Sequence, residues 1–215
     1  MNDPAAFIRA QTALAAPALV PELSLWTATD LTPLWEATEE LLRRVGIDPP
    51  FWAVSWPGSQ ALARYMLDHP ESVAGRTVLD LGCGNGLAAL AAAQIGARGI
   101  ANDVDPLALV AVEMNAAANG LRVQTLAGDL TRAALELPAE LILVGDLCYE
   151  RGTAARLLDW LRARVREGRV VWLAEPGRAY APREGFRELA RYRVPTSADL
   201  EGQSERETVL LELSG

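Results

Sequence analysis

From Thr77 onward, short runs that are apolar on both faces alternate with longer alanine-rich or amphipathic segments. The runs at 77–81, 99–104, 122–127, 141–146 and 169–174 predict buried strands, because a parallel sheet covered on both faces shows continuous apolar runs rather than polar alternation. The segments 87–95, 106–119 and 153–166 predict the helices between them. Strand–helix alternation of this kind is the signature of an α/β doubly wound sheet. The tail adds a predicted helix near 183–189, an extended piece at 191–195 and an alternating strand at 208–213 with no helix after it. The expected fold is a Rossmann-like, seven-stranded, mostly parallel sheet with an antiparallel last strand and helices on both faces.

Ahead of this pattern, residues 2–14 predict a helix with Asp3 as cap and Pro4 in the first turn, and 23–27 a short extended piece. Residues 32–45 predict a second helix: Thr32 caps, Pro33 takes the first position, Leu34, Thr38, Leu41, Leu42 and Val45 share a face, and Gly46 closes it. These elements are expected to form an N-terminal helical flap over the carboxyl edge of the sheet. A chain of 215 residues fits a single domain, with residues 1–58 as flap and 59–215 as core. Residues 59–68 predict the first helix of that core.

The densest chemical signal follows the first core strand, where the chain reads Asp80-Leu81-Gly82-Cys83-Gly84-Asn85-Gly86. Glycines at a strand-to-helix turn let backbone N–H groups approach a ligand at a helix N-terminus. A dinucleotide fingerprint reads G-x-G-x-x-G and needs no acid on the strand, whereas here Asp80 precedes the first glycine by two positions. A carboxylate there repels a pyrophosphate and suits an ammonium group. S-adenosylmethionine carries an α-amino group, a sulfonium and no phosphate, so residues 82–86 with Asp80 predict a site for it. Asp103 lies where a βαβ unit places the carboxylate that binds a ribose diol, about 20 residues past the first glycine. Asp105-Pro106 reads as a helix cap, with a ligand role for Asp105 as the alternative.

Ligands in such sheets bind at the carboxyl ends of the strands. Gly128-Asp129-Leu130 after the third strand places Asp129 to accept from an adenine amino group or to cap a helix. Residues 49–58 crowd Trp52 and Trp56 into a rigid extended segment. An indole can stack on adenine or fill the core between flap and sheet, and Trp56, followed by Pro57-Gly58, is the better stacking candidate.

Charge and composition narrow the partners. The net charge is −8 and every basic residue is arginine, which disfavours a nucleic-acid surface. No apolar run approaches the ~20 residues of a membrane span, and the interrupted alanine-rich start makes a poor signal peptide or presequence. Two cysteines, Cys83 and Cys148, form no metal spacing or disulfide framework, and the expectation is a reduced, cytoplasmic monomer. His69, the single histidine, leaves no material for Ser-His-Asp or Cys-His catalysis.

Five segments together resemble the class I S-adenosylmethionine-dependent methyltransferases. They also resemble, more narrowly, the electron-transfer flavoprotein beta-subunit lysine methyltransferase family and its bacterial relatives. These are 50–65 (PFWAVSWPGSQALARY), 78–86 (VLDLGCGNG), 101–106 (ANDVDP), 145–149 (GDLCY) and 175–178 (EPGR). The first and fourth are the specific ones, and the D-x-x-Y of Asp146 to Tyr149 resembles the protein-lysine branch. The resemblance implies methyl transfer to a protein lysine, with the flavoprotein beta subunit as candidate substrate. It places Asp146 and Tyr149 beside the methyl group and the incoming amine, with Asp146 also touching the cofactor. Tyr149, Glu175 and Arg178 are then substrate-binding candidates, packing under the flap being the alternative for Tyr149. The chain departs from the family pattern at Glu175, where aspartate is common, and at Cys148, where an aromatic is usual. A methyltransferase of nicotinamide or another small amine, or a non-catalytic S-adenosylmethionine-binding protein, would share the cofactor signals.

Overall fold

The computed structural model describes residues 3–28, 49–132, 138–182 and 184–214. The helix predicted over 32–45 lies outside the described residues. Helix α1 (Pro4–Gln11) begins as expected, with the Asp3 carboxylate accepting from Ala6 N at 2.9 Å and proline in the first turn. It ends three residues early. Thr12 turns extended and its hydroxyl donates to Ile8 O at 2.6 Å, and β1 (Thr12–Ala15) pairs antiparallel with β2 (Leu25–Ala28) from Thr12↔Ala28 to Ala15↔Leu25. The helix propensity of this alanine-rich run yields to a strand partner ten residues on, an instance of tertiary context overriding a weak local preference. The predicted helical flap is therefore, in its described part, one short helix and a hairpin.

This hairpin is clipped to the body by two asparagines, Asn115 and Asn119. The 3-10 turn Phe51–Ala53 leads into α2 (Pro57–Asp68), followed by β3 (Thr77–Leu81), α3 (Leu87–Gln94), β4 (Arg98–Asp103) and α4 (Pro106–Ala118). Asn115 on α4 is wholly buried; its Oδ1 accepts from Trp26 N at 2.8 Å and its Nδ2 donates to Asn85 O at 2.9 Å. Asn119, the cap of α4, exchanges two bonds with the backbone of Ser24. Ile8, Trp52, Ala53, Ala108 and Ala111 fill the space between, so Trp52 is core.

The remaining elements are β5 (Gln124–Ala127), β6 (Leu141–Gly145), α5 (Arg151–Arg166), β7 (Val170–Glu175), β8 (Phe186–Pro195), the short helix α6 (Ala198–Glu201) and β9 (Glu205–Leu213). The main sheet runs β5-β4-β3-β6-β7-β9-β8, parallel throughout except for β9, which opposes both neighbours. The antiparallel last strand is thus as expected. Strands β3 and β6 are buried at every position, and α3 is buried from Leu87 to Ala92 because α2 covers its outer side.

The helix expected near 183–189 is a strand. Residues such as Arg187, Glu188 and Leu189 favour helix in isolation, but β9 offers an alternating ladder, and β8 pairs with it from Phe186↔Leu213 to Pro195↔Glu205 with a bulge between Glu188 and Ala190. Arg187 meets Glu212 at 2.9 Å and Arg191 meets both Glu188 and Glu207. Opposite charges across strands stabilise the pair and blunt an edge that would otherwise template aggregation.

Asp80 lies inside β3, 2% exposed, with Oδ2 accepting from Ala89 N at 3.1 Å. Burial, and then the nearby charge of Asp103, push its carboxyl up to about 7, against the bond from Ala89. A carboxyl raised on folding contributes stability that is complete below its unfolded value and is lost as pH rises through the folded one. Melting temperature is therefore expected to fall between about pH 4 and 8, and Asp80→Asn, which keeps an acceptor for Ala89, to remove part of that fall; parallel wild-type and mutant melting curves against pH check it. Asn115→Ala leaves two buried backbone groups unpaired at ~1–3 kcal/mol each. It is expected to lower stability by about 3 kcal/mol, read from denaturant titration.

Candidate active site

Two groups of side chains gather at the carboxyl end of the sheet. The first surrounds the glycine turn between β3 and α3. Gly84 adopts φ 53°, and its N–H donates to Asp103 Oδ2 at 2.9 Å while Asp103 Oδ1 accepts from Asp105 N at 3.0 Å. One carboxylate therefore ties the turn to the start of α4. Asp105 is the cap, accepting from Leu107 N at 2.8 Å. Gly82, at φ 64°, lies so close to Leu147 that a Cβ would stand 2.7 Å from its methyl carbons.

The other predicted residues of this turn are committed to the protein. Asn85 donates to Val54 O and Ser55 Oγ, both at 3.0 Å, and its Oδ1 accepts from Leu87 N, so it binds the aromatic segment over the turn. Cys83 is 2% exposed, and burial drives its thiol pKa up. Asp80 turns Oδ2 into the N-terminus of α3, where it accepts from Ala89 N. Leu130 is core, packed with Leu79, Ile142 and Val144. Asp129 accepts from Thr131 N at 2.9 Å in a local turn and pairs with Arg132 and Arg156.

The residues at the ends of β3 and β4 fit S-adenosylmethionine. Side-chain-free backbone at Gly82 and Gly84 leaves room at the turn, the half-buried Asp103 carboxylate presents acceptors for a diol, and Val104 beside it is 58% exposed, an apolar face of the kind an adenine covers.

The second group stands at the ends of β6 and β7. Asp146 is the one described non-glycine residue with positive φ, at 58°. Aspartate tolerates this conformation better than most residues. It is 9% exposed, and both oxygens are engaged: Oδ2 accepts from Gly58 N at 2.6 Å, and Oδ1 from Arg178 Nε at 3.0 Å and Nη2 at 2.5 Å. Burial raises its pKa, while Arg178 and Gly58 oppose that rise. The backbones are nearly in contact here, since a Cβ on Gly58 would stand 3.0 Å from both Ala174 O and Asp146 N. Arg178 also forks onto Glu201 at 2.7 and 3.1 Å, and Glu201 in turn holds Arg206 at 2.8 Å. Burial works against the Arg178 charge, but Glu201 and Asp146 more than offset it.

Trp56 belongs to this second group. Its Nε1 donates to Phe51 O at 2.8 Å and its ring faces the Arg178 guanidinium at 5.7 Å, a cation–π arrangement. That sets the indole against Arg178 at the β6–β7 end. Phe51 bridges Trp56 and Tyr149, with ring centroids 5.9 and 5.8 Å away. Tyr149 is half exposed, and Tyr180, whose N–H donates to Cys148 O, lies on the same rim at 42% exposure. Cys148 is buried, and burial with the charges of Glu175 and Asp146 pushes its thiol up to about 12, so it is unreactive. On the outer side of Trp56, a cleft of about 360 Å³ opens between the N-terminal hairpin and the sheet's tail, with Thr27, Ser55, Pro195 and Glu201 in its walls. Sequence reasoning names Gly58 within the 50–65 segment without a role and misses Glu201, which carries no local motif; only the fold brings them to Asp146 and Arg178.

A family model for ribosomal protein L11 methyltransferase (PrmA) matches residues 60–145, from α2 to the end of β6 with the glycine turn between. The electron transfer flavoprotein beta subunit lysine methyltransferase of Danio rerio is 39% identical over 185 residues, covering 83% of this chain and 70% of that protein. The Xenopus laevis protein of the same name is 39% identical over 178 residues, covering 82% and 71%. Among solved structures, magnesium protoporphyrin IX methyltransferase from Synechocystis with bound S-adenosylmethionine aligns at TM-score 0.54 and 17% identity over 86% of this chain and 95% of that one, a likeness of fold. With the glycine turn, the Asp103 tie and the carboxylate cluster of β6 and β7 in place, the chain belongs to the electron transfer flavoprotein beta subunit lysine methyltransferase family and is an S-adenosylmethionine-dependent methyltransferase.

Proposed function

We propose that this chain methylates the ε-amine of a lysine on a protein surface, with the electron-transfer flavoprotein beta subunit as its substrate. The carrying observation is the carboxylate cluster at the ends of β6 and β7, a cation-accepting environment one strand from the cofactor turn. When bound, S-adenosylmethionine supplies an electrophilic methyl group on a sulfonium. Displacement there asks the protein for alignment and for a neutral amine, so positioning carries much of the rate. Lysine is protonated at neutral pH, with a free pKa near ~10.4.

Among the described residues the half-exposed Tyr149 and Tyr180 form an open aromatic rim, which favours a side chain delivered on another protein over a free small amine. Tyr149, on the rim beside Phe51, walls the path of the lysine stem. Asp146 acts as a positioning residue, holding Gly58 and Arg178 where the amine must pass. The acidic, lysine-free chain suits a basic loop on the partner. Its two free thiols are buried, in keeping with work as a monomer in a reducing compartment.

The test is incubation with purified beta subunit and labelled S-adenosylmethionine, followed by peptide mass spectrometry with lysine-to-arginine substrate mutants. Methylated lysine is expected, with a rate that falls as salt rises from about 50 to 500 mM because surface charges are screened beyond ~10 Å at 0.1 M. Label confined to a small amine, with every lysine of the beta subunit unmodified, would sink the assignment. Asp103→Ala is expected to weaken S-adenosylmethionine by ~1.5–3 kcal/mol, the scale of charge-assisted hydrogen bonds, and to lower the melting temperature because Gly84 and Asp105 lose their acceptor. Calorimetric titration alongside thermal melts reads both effects.

A further inference from the structure

The cluster behind Arg178 is one positive charge short. Three buried carboxylates, Asp146, Glu175 and Glu201, meet two guanidinium groups, Arg178 and Arg206. Asp146 has both oxygens engaged, and Glu201 is shared between the two arginines. Glu175 is different. It is 8% exposed at the end of β7; its Oε1 accepts from the backbone N–H of Arg178, and among the described residues its fully buried Oε2 has no hydrogen-bond partner. A buried acceptor left unmatched costs roughly 1–3 kcal/mol, so in native structures such a group is met by an ordered water, an ion or a functional partner.

We propose that Glu175 Oε2, next to Asp146, is the seat of the substrate's ε-ammonium and accepts its proton before methyl transfer. The proposal rests on the lysine-methylation reading and assigns the proton step within it. The carboxylate takes a proton from the ammonium, giving a neutral amine and a neutral Glu175 carboxylic acid. The nitrogen lone pair then forms the bond to the methyl carbon of S-adenosylmethionine. The carbon–sulfur electron pair passes to sulfur, leaving S-adenosylhomocysteine and a methylated ammonium.

The surroundings support this role. Burial raises the Glu175 carboxyl above its usual range, the Asp146 charge raises it further, and N–H groups of Arg178 and Gly177 with the Arg178 charge oppose the rise. Cys148 on the α5 side stays protonated. A raised carboxyl is a better proton acceptor for an amine than an ordinary one. Asp146, whose lone pairs already serve Gly58 and Arg178, is left the positioning role.

The experiment has an arm that needs no protein substrate. n-Butylammonium is titrated calorimetrically into wild type and Glu175→Gln, each saturated with S-adenosylhomocysteine. Wild type is expected to bind in the millimolar range, Glu175→Gln at least ten-fold more weakly, with Glu175→Asp in between. At pH 8, Glu175→Gln is expected to melt no lower than wild type, since Oε2 has no partner to lose. In methyl transfer to the beta subunit at pH 7, Glu175→Gln is expected to lose at least ten-fold in kcat/KM with S-adenosylmethionine affinity unchanged. Its rate should also climb more steeply between pH 7 and 9 than that of wild type, because the lysine must then arrive deprotonated. Equal butylammonium binding in both proteins, no binding to wild type, a destabilised Glu175→Gln, or identical pH profiles would each overturn the proposal. Glu175-dependent butylammonium binding by a wild type that leaves the beta subunit unmodified would refute the beta-subunit assignment and leave the seat standing.

Discussion

The bond from Gly58 N–H to Asp146 Oδ2, at 2.6 Å, joins the two halves of this active site. It fixes the first turn of α2 onto the ends of β6 and β7 at a separation that only glycine permits. With α2 seated there, Trp56 is carried over Arg178, Phe51 is placed between Trp56 and Tyr149, and Asn85 can reach Val54 and Ser55 from the cofactor turn. Asp146 sits in left-handed backbone to make the bond. Strain of that kind, of order 1–3 kcal/mol, persists only where surrounding structure over-determines it, which is common at functional sites.

The elements legible in the sequence were those set by neighbours in the chain. Strand β3 was read to the residue, and α4 to within one, because a proline, a capping aspartate and an unbroken apolar run are local facts. Of strand β8 only the second half, 191–195, is legible as extended, while its first half reads as helix. Its helix-favouring composition is answered by a β9 register that begins some twenty residues later. The same division runs through the site. The glycine turn and Asp103 announce themselves by spacing, whereas the roles of Trp56, Asp129 and Glu201 depend on partners such as Arg178 and Arg156 that no short window contains. Asp80 reads as motif chemistry, and the fold adds a bond that spacing does not announce, from the N–H of Ala89.

Electrostatically the two ends of the site are opposites in design. At the cofactor turn, acids are paired with backbone N–H groups, which binds loop to helix without introducing cations. At the β6–β7 end, acids are paired with guanidinium groups, whose fixed planar forks suit buried carboxylates better than an ammonium would. A chain that uses arginine for every basic position keeps amines out of a site that transfers methyl groups to amines.

The wholly buried amide of Asn115 gives the first residues a standing they would lack as a mere appendage. One of its ends holds Trp26 in the hairpin and the other holds the carbonyl of Asn85 in the cofactor turn. Whatever steadies the turn steadies the hairpin through a single side chain, and loosening either one is felt by both. The hairpin thus braces the cofactor turn, and shortening the protein from that end would remove the brace.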